Sequence, residues 1–329
     1  MQPLPSKRAR RVCVLGGTGT IGRATVAALA GRGYEVVCFT RSRAGAPAPA
    51  PEGVSVRSVD FADPRSIAED GFRGEAFDAV VSCMASRTGA PRDAWAVDYQ
   101  AHVNALEAAR GAGVRRFVLL SAICVQKPLL AFQQAKLAFE KALVESGLTY
   151  SIVRATAFFK SLSGQIERVK QGQSFLMFGD GTLTACKPIS DGDLATYLSD
   201  CLTDERRWNR ILPIGGPGEA ITPRQQGEFL GKLVGKPLRL QCAPVWLLDS
   251  IIAMLSLLGC VAPRFAEKAE LARIGRYYAT ESMLTLDPKT GRYDAAATPS
   301  FGTETLFDYY QAIVSGVIAA PERGDHAVF

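Results

Sequence analysis

Apolar residues fall along this chain in two rhythms. Short, nearly continuous runs predict strands near 11–15, 35–39, 54–58, 77–82, 116–121 and 149–153. Between them, apolar positions recur three and four apart and predict helices near 20–32, 64–70, 93–112 and 130–146. A strand that is apolar on both faces needs cover on both sides, and strand–helix alternation supplies it. The fold class is therefore α/β, a Rossmann-type doubly wound parallel sheet. Ala44 to Pro51, AGAPAPAP, reads as a loop after the second strand and not as a domain boundary. After Arg154 the rhythm changes. Phe175–Phe178 and Leu183–Cys186 flank Gly179-Asp180-Gly181 and predict a β-hairpin. Ser190-x-x-Asp193 before LATYLSDCL has the form of a capped helix start, so these two residues read as structural. From Thr222 the chain reads as mostly helical up to the turn Asp287-Pro288-Lys289-Thr290-Gly291, and no internal repeat is present.

The first strand breaks into glycines. Val12 to Thr25 reads VCVLGGTGTIGRAT, and Gly17-x-Gly19-x-x-Gly22 follows an apolar run, opens a helix and precedes a second strand. That context is the turn that cradles a dinucleotide pyrophosphate: the chain must turn sharply, amides must approach phosphate, and helix must pack on strand without a side chain between. Gly16, Gly17, Thr18, Gly19, Thr20, Ile21 and Gly22 are the expected cradle. An acidic residue at the end of the second strand would hold a ribose 2′-hydroxyl, but this chain places Arg41, Ser42 and Arg43 there and Arg23 just past the last glycine. The planar guanidinium suits a 2′-phosphate, so the expected cofactor is NADPH. Asp60 and Phe61 fall by the adenine, Cys83 and Ala85 by the cofactor ribose, and Ser121, closing the fifth strand, joins the same set. The organisation expected is a basic N-terminal arm over 1–10, an NADPH-binding Rossmann domain over 11–160, and a smaller, mostly helical substrate region with the hairpin over 161–329. Part of 189–216 is expected to return to the Rossmann domain.

Composition narrows the classes. With 47% hydrophobic and 21% charged residues the chain is neither disordered nor a multi-span membrane protein. The net charge of +6 gathers partly in SKRARR at Ser6–Arg11, a solvated arm able to meet an anionic surface, and nothing calls for nucleic acid as a partner. Eight cysteines without a CxxC pair read as reduced core thiols of a cytosolic protein. Two histidines leave no histidine-rich metal site, and none is expected. No signal peptide is evident, since the run after the basic start is too short. Val245–Ala262, VWLLDSIIAMLSLLGCVA, is expected as a buried core helix ahead of a membrane-facing surface, with a true span least favoured because of Asp249, Gly259 and Pro263.

Over its first half the chain resembles the atypical extended short-chain dehydrogenases/reductases. These usually carry Tyr-x-x-x-Lys on the helix after strand five; here the stretch is Phe132-Gln133-Gln134-Ala135-Lys136. The lysine is kept and the phenol is gone, so reduction of a carbonyl, which needs a proton at the new oxyanion, is disfavoured. Lys136 either holds the nicotinamide ribose or pairs with Glu140 one turn on. Over nearly its whole length the chain resembles the NADPH-dependent divinyl chlorophyllide a 8-vinyl reductases of chlorophyll and bacteriochlorophyll synthesis. The carriers are Val81–Arg87 (VSCMASR), Phe117–Leu130 (FVLLSAICVQKPLL), Phe132–Lys136, Phe158–Leu162 (FFKSL), Met177–Ser190 (MFGDGTLTACKPIS), Leu212–Gly218 (LPIGGPG) and Ile274–Met283 (IGRYYATESM). The resemblance implies transfer of hydride to a vinyl group on a magnesium chlorin-type tetrapyrrole, giving ethyl. No oxyanion forms in such a step, and a missing tyrosine is tolerable. Phe132, Phe158 and Phe159 are then candidates to line the substrate pocket, or else core aromatics. Cys186 and Lys187 join Lys136 as catalytic candidates, to deliver a proton or hold a pigment carboxylate, with Tyr277 and Tyr278 as competing donors.

Two readings stand beside this one. A non-catalytic NADP(H)-binding sensor or assembly factor of the same type would also tolerate Phe132, and an isoflavone-reductase-like enzyme would share the glycine turn but not the Met177–Ser190 string. The expected setting is cytoplasmic, peripheral to the photosynthetic membrane through 245–262.

Overall fold

The computed structural model describes residues 10–41, 53–235 and 239–319. Ser42, Arg43, the Ala44–Pro51 loop and the arm before Arg10 lie outside the described residues. In chain order the elements begin β1 (Arg11–Leu15), α1 (Thr20–Gly31), β2 (Glu35–Arg41), β3 (Val54–Val59) and α2 (Pro64–Ser66), which continues as a π-helical turn Ile67–Phe72. There follow β4 (Ala79–Ser82), α3 (Pro91–Ala94), a π-helical stretch Trp95–Ala101, α4 (His102–Gly111), β5 (Arg116–Ala122), α5 (Ala131–Glu145) and β6 (Thr149–Ala155). The second half holds α6 (Phe159–Leu162), α7 (Ile166–Lys170), β7 (Phe175–Phe178), α8 (Asp191–Asp200), β8 (Arg210–Ile214), α9 (Pro223–Val234), β9 (Leu240–Ala243), α10 (Val245–Gly259), α11 (Pro263–Thr280), β10 (Thr285–Leu286), β11 (Tyr293–Asp294) and α12 (Leu306–Val314).

Seven strands form one sheet in the order β3-β2-β1-β4-β5-β6-β8, every neighbour parallel. Side-chain alternation explains the continuous apolar runs. Val12, Val14, Val36 and Cys38 pack on one face with Val26 and Leu29 of α1 and Leu194 and Leu198 of α8. Cys13, Leu15, Val37 and Phe39 pack on the other with Ala105 and Leu106 of α4 and Phe139 and Leu143 of α5. Each such burial removes apolar surface worth about 1.5–3 kcal/mol per large side chain. The sheet therefore holds rigidly whatever its C-terminal edge carries. The expected start at Ser190 is found: its side chain accepts from the Asp193 amide at 3.0 Å and caps α8.

Beyond the sheet, three expectations are corrected. The antiparallel hairpin of Phe175–Phe178 with Leu183–Cys186 does not form; β7 pairs in parallel with β9, and Cys186 bridges Ile221 and Met283. Gly181, at φ +81°, and the Asp180 carboxylate, accepting from the Thr182 amide and hydroxyl, do turn the chain, but Arg224 binds back to the turn and sends 183–186 elsewhere. The hairpin of this region is instead β10–β11, closed by the turn at Asp287–Gly291. The apolar helix α10 is not core: none of its residues is buried, and Trp246 is 65% and Leu257 73% exposed. It packs on α11 alone in depth, with Gly259 against Ala266 and Arg276 bound to Asp249. Among the described residues no helix is long and apolar enough to cross a membrane. Third, Lys136 does not pair with Glu140, whose carboxylate is taken by Arg154 at 2.5 Å.

A strap late in the chain closes the sheet edge beyond β8. Gly215 donates to the Pro299 carbonyl at 2.8 Å, Phe301 donates back to Gly215 at 2.9 Å, and the Asp193 carboxylate takes the amides of Thr303 and Glu304.

Candidate active site

The C-terminal ends of β1, β2, β4, β5 and β6 converge on the glycine turn. Gly16 sits at φ +73°, and a Cβ there would lie 2.7 Å from the Met84 backbone; one on Gly22 would lie 2.1 Å from the Gly16 carbonyl oxygen. Only glycine fits either place. Gly19, the N-cap of α1, meets nothing closer than that same oxygen at 3.5 Å, so the space above it is open, and no side chain caps the helix and no acid lies in its first turn. An uncapped helix start over an open backbone cradle fits a pyrophosphate. Thr18 and Gly19 are exposed and Thr20 half-buried, while Gly17 and Ile21 pack inward. Arg23 is exposed on α1, and Arg41 is exposed at the end of β2. Asp60 is exposed and Phe61 buried after β3. Cys83 lies half-buried with its sulfur 3.5 Å from the Thr25 hydroxyl, burial pushing the thiol up to about 11, and Ala85 is exposed next to it. Ser121 faces elsewhere: its buried hydroxyl donates to Glu140 at 2.6 Å. That correction leaves Ser121 a strand-to-helix tie, with no hydroxyl free toward a cofactor.

The retained lysine has an unforeseen partner. Lys136 Nζ donates to Asp98 Oδ1 at 2.9 Å, and the same oxygen accepts from the Ser86 amide at 3.1 Å. The Asp98 side chain is wholly buried, and its Oδ2 has no hydrogen-bond partner. Burial works to raise this acid, but the Lys136 charge and the hydrogen bonds from Ser86 and Lys136 outweigh it and hold it below the usual carboxylate range. Asp98 thus binds the loop after β4 to α5 as a buried ion pair. It lies in the π-helical stretch, a local irregularity that often accompanies functional sites. One helical turn on, His102 is buried, bonded through Nε2 to the Ser82 hydroxyl at 2.8 Å and through Nδ1 to the Val97 carbonyl at 2.8 Å. Burial first, and Lys136 after it, lowers this imidazole to about 4.

Phe132 is buried beside Ile123, Leu130, Cys186, Ile274 and Tyr277, so hydrocarbon fills the position of the absent phenol. Phe159 is core, 5.4 Å from Tyr309, whereas Phe158 is half-buried. Two further candidates are corrected. Cys186 is buried with its thiol toward the Ile221 carbonyl at 3.8 Å and pushed up to about 12 by burial, so its proton is firmly held. Lys187 is buried and donates to the Thr298 carbonyl at 3.2 Å and the Ser300 hydroxyl at 3.1 Å, fastening the late strap. Tyr277 donates to the Cys124 carbonyl at 2.9 Å, and the Tyr278 hydroxyl lies 4.0 Å from the Cys124 sulfur; burial raises both phenols. Among the described residues no cluster of three or more His, Cys, Asp or Glu could hold a metal. A cavity of about 320 Å³ lined by Arg10, Arg32, Gly33, Tyr34 and Thr203 opens at the opposite, N-terminal edge of the strands. Sequence reasoning missed Asp98; nothing in its spacing marks it, because the contact to Lys136 spans 38 residues.

Known proteins are similar to this chain over most of its length. A family described as NAD(P)H-binding matches residues 16–205. The chain is 47% identical to the "Divinyl chlorophyllide a 8-vinyl-reductase, chloroplastic" of Cucumis sativus, over 97% of this chain and 79% of that protein. It is likewise 47% identical to the protein of that name from Oryza sativa subsp. indica, over 97% of this chain and 82% of its relative. Among solved structures, the NADPH-dependent quinone oxidoreductase QOR2 from Escherichia coli, complexed with NADPH, aligns with TM-score 0.65 at 19% identity, over 92% of this chain and 99% of that one, and speaks for the fold alone.

Proposed function

Because the chain belongs to the NAD(P)H-binding family and, within it, to the divinyl chlorophyllide a 8-vinyl-reductases, we propose that it reduces the 8-vinyl group of divinyl chlorophyllide a, or a close precursor, to ethyl at the C-terminal edge of its sheet. NADPH, when bound, supplies the hydride that becomes a C–H bond on the vinyl side chain. The observation that carries the site is the pairing of a retained Lys136, held by buried Asp98, with hydrocarbon at Phe132. Such a site holds a cofactor ribose and keeps water out, but offers no phenol proton to an oxyanion, which suits a C=C acceptor. Gly16, Gly17, Thr18, Gly19, Thr20, Ile21 and Gly22 provide the phosphate cradle, and Arg23 and Arg41 the cations for a 2′-phosphate, with the backbone at Cys83 and Ala85 and the turn at Asp60–Phe61 alongside. Half-buried Phe158 is the aromatic face offered to the macrocycle, and buried Phe132 and Ile274 supply apolar packing. Lys136 orients the ribose; Cys186 and Lys187 keep structural places.

Peripheral membrane contact belongs to the same reading. Trp246, Met254, Leu257 and Val261 are exposed on and just beyond α10, and exposed Arg264 and Lys268 flank the tip of the α10–α11 pair. Apolar anchors beside cations fit an anionic lipid surface. For the reaction, purified protein given NADPH and divinyl chlorophyllide should move the pigment's Soret band to shorter wavelength with stoichiometric loss of NADPH absorbance. Tight NADPH binding with no spectral change would favour the non-catalytic sensor instead.

A further inference from the structure

We infer that Lys160 is a cofactor-positioning residue whose ammonium closes on the pyrophosphate bridge from the acceptor side of the cleft. The inference rests on the NADPH reading of the glycine turn and adds a residue from the other half of the molecule to it. Lys160 lies in α6, the first turn after β6, and its Nζ reaches the Thr20 hydroxyl at 3.3 Å across 140 residues of sequence. Thr20 is the first residue of α1, the helix start that no side chain caps and no acid neutralises.

Charge makes this placement informative. A helix start carries partial positive charge, so a lysine brought to it from afar is in an unfavourable field unless an anion sits between them. Among the described residues Lys160 forms no ion pair, and its hydrogen bond goes to a neutral hydroxyl. An acid that senses its charge is Asp191, first residue of α8. Burial, and after it the Glu304 charge, raises that acid, the Lys160 and Arg23 charges draw it down less strongly, and its Oδ1 is enclosed without a partner. The cation is thus held at the cradle by a hydroxyl, with Asp191 sensing its charge but closing no ion pair with it. Arg41 at the end of β2 is the cation suited to the adenosine side, and Lys136, bound to Asp98, the one suited to the nicotinamide ribose. Lys160 is the cation assigned to the phosphates that NADPH and NADH share.

The test is nucleotide binding by the full chain, read as Kd for NADP⁺, NAD⁺ and adenosine 2′-monophosphate, which has the 2′-phosphate and lacks the bridge. Lys160→Met should weaken NADP⁺ and NAD⁺ by the same factor, about tenfold or more for one lost charged contact, and leave adenosine 2′-monophosphate unchanged. Lys160→Arg should retain most of the affinity, and the salt dependence of NADP⁺ binding should become shallower in Lys160→Met. Arg41→Ala should show the complementary pattern, losing NADP⁺ and adenosine 2′-monophosphate while sparing NAD⁺. Unchanged NADP⁺ affinity in folded Lys160→Met, or an equal loss for the bridgeless nucleotide, overturns the role. If Lys160→Met does not fold, Lys160→Gln carries the same readout. Wild-type protein that binds none of the three nucleotides would overturn the cofactor reading itself, a result separable from failure of Lys160 alone.

Discussion

The half around the glycine turn, our proposed cofactor side, and the later half, our proposed acceptor side, are built by different means. In the first, the groups that matter are backbone atoms. Gly16 and Gly22 bring β1, α1 and the loop after β4 closer than any side chain allows, and the sheet beneath is covered on both faces. In the second, polar side chains are bound inward: Tyr277 to Cys124, Lys187 to the late strap, Cys186 to Ile221. What remains outward is apolar area, most of all on α10. A phosphate is small, charged and directional, and fixed amides meet it; a large greasy macrocycle or a lipid surface asks mainly for area. The first kind of site is expected to tolerate almost no change and the second a good deal.

Mutations can break that contrast or sharpen it. The largest effect is expected at Asp98, which ties the loop after β4 to α5 inside the cofactor half. Asp98→Ala strands the Lys136 ammonium without a counter-charge and should lower stability by about 4 kcal/mol in chemical denaturation, with Lys136→Met in the same chain restoring part of the loss. If the two changes are simply additive, the pair does not join anything. Gly22→Ala should follow, at about 3 kcal/mol, with NADPH binding lost in a titration, since the new methyl would meet the Gly16 carbonyl. Retained binding would show the cradle to be as forgiving as the acceptor side.

A pH effect comes next. His102 titrates at about 4 when folded against an ordinary 6.5, so the unfolded chain takes up the proton first as pH falls. The stability this neutral imidazole contributes is fully present above about 6.5 and is lost toward 4, amounting to about 2 kcal/mol between pH 7 and pH 5. Thermal unfolding across that range should show the slope, and His102→Asn should flatten it. The smallest change in stability, below about 0.5 kcal/mol, is expected for Trp246→Ser with Leu257→Ser on α10, although sedimentation with anionic vesicles should fall sharply. A large loss of stability there would mean that the outer helix is core after all.

How far the sequence foretold these arrangements depends on the reach of each interaction. The strands from β1 to β6, the glycine turn and the Ser190 cap rest on patterns within a few residues, and the observed elements follow them. The partner of β7 is β9, brought from beyond α9, and local turn chemistry at Gly179–Gly181 carries no information about it. Lys136 had a plausible neighbour at Glu140, yet Arg154 on the adjacent strand claims that carboxylate and the lysine turns to Asp98. The α10 segment has the composition of an interior helix, and it is exposed because among the described residues it packs in depth on α11 only. Position along the chain points Ser121 and Lys187 at a site, while the direction of each side chain is set by a partner on another element.

The strap across Gly215 has a bearing on biogenesis. The rim of the sheet beyond β8 is sealed by Pro299, Ser300 and Phe301, residues translated long after that strand has left the ribosome, and Lys187 waits for the same segment. A nascent chain therefore carries an open flank, with a buried-to-be cation unsatisfied, until that late segment is made, and helpers that shield unpaired strands from one another would act in that interval.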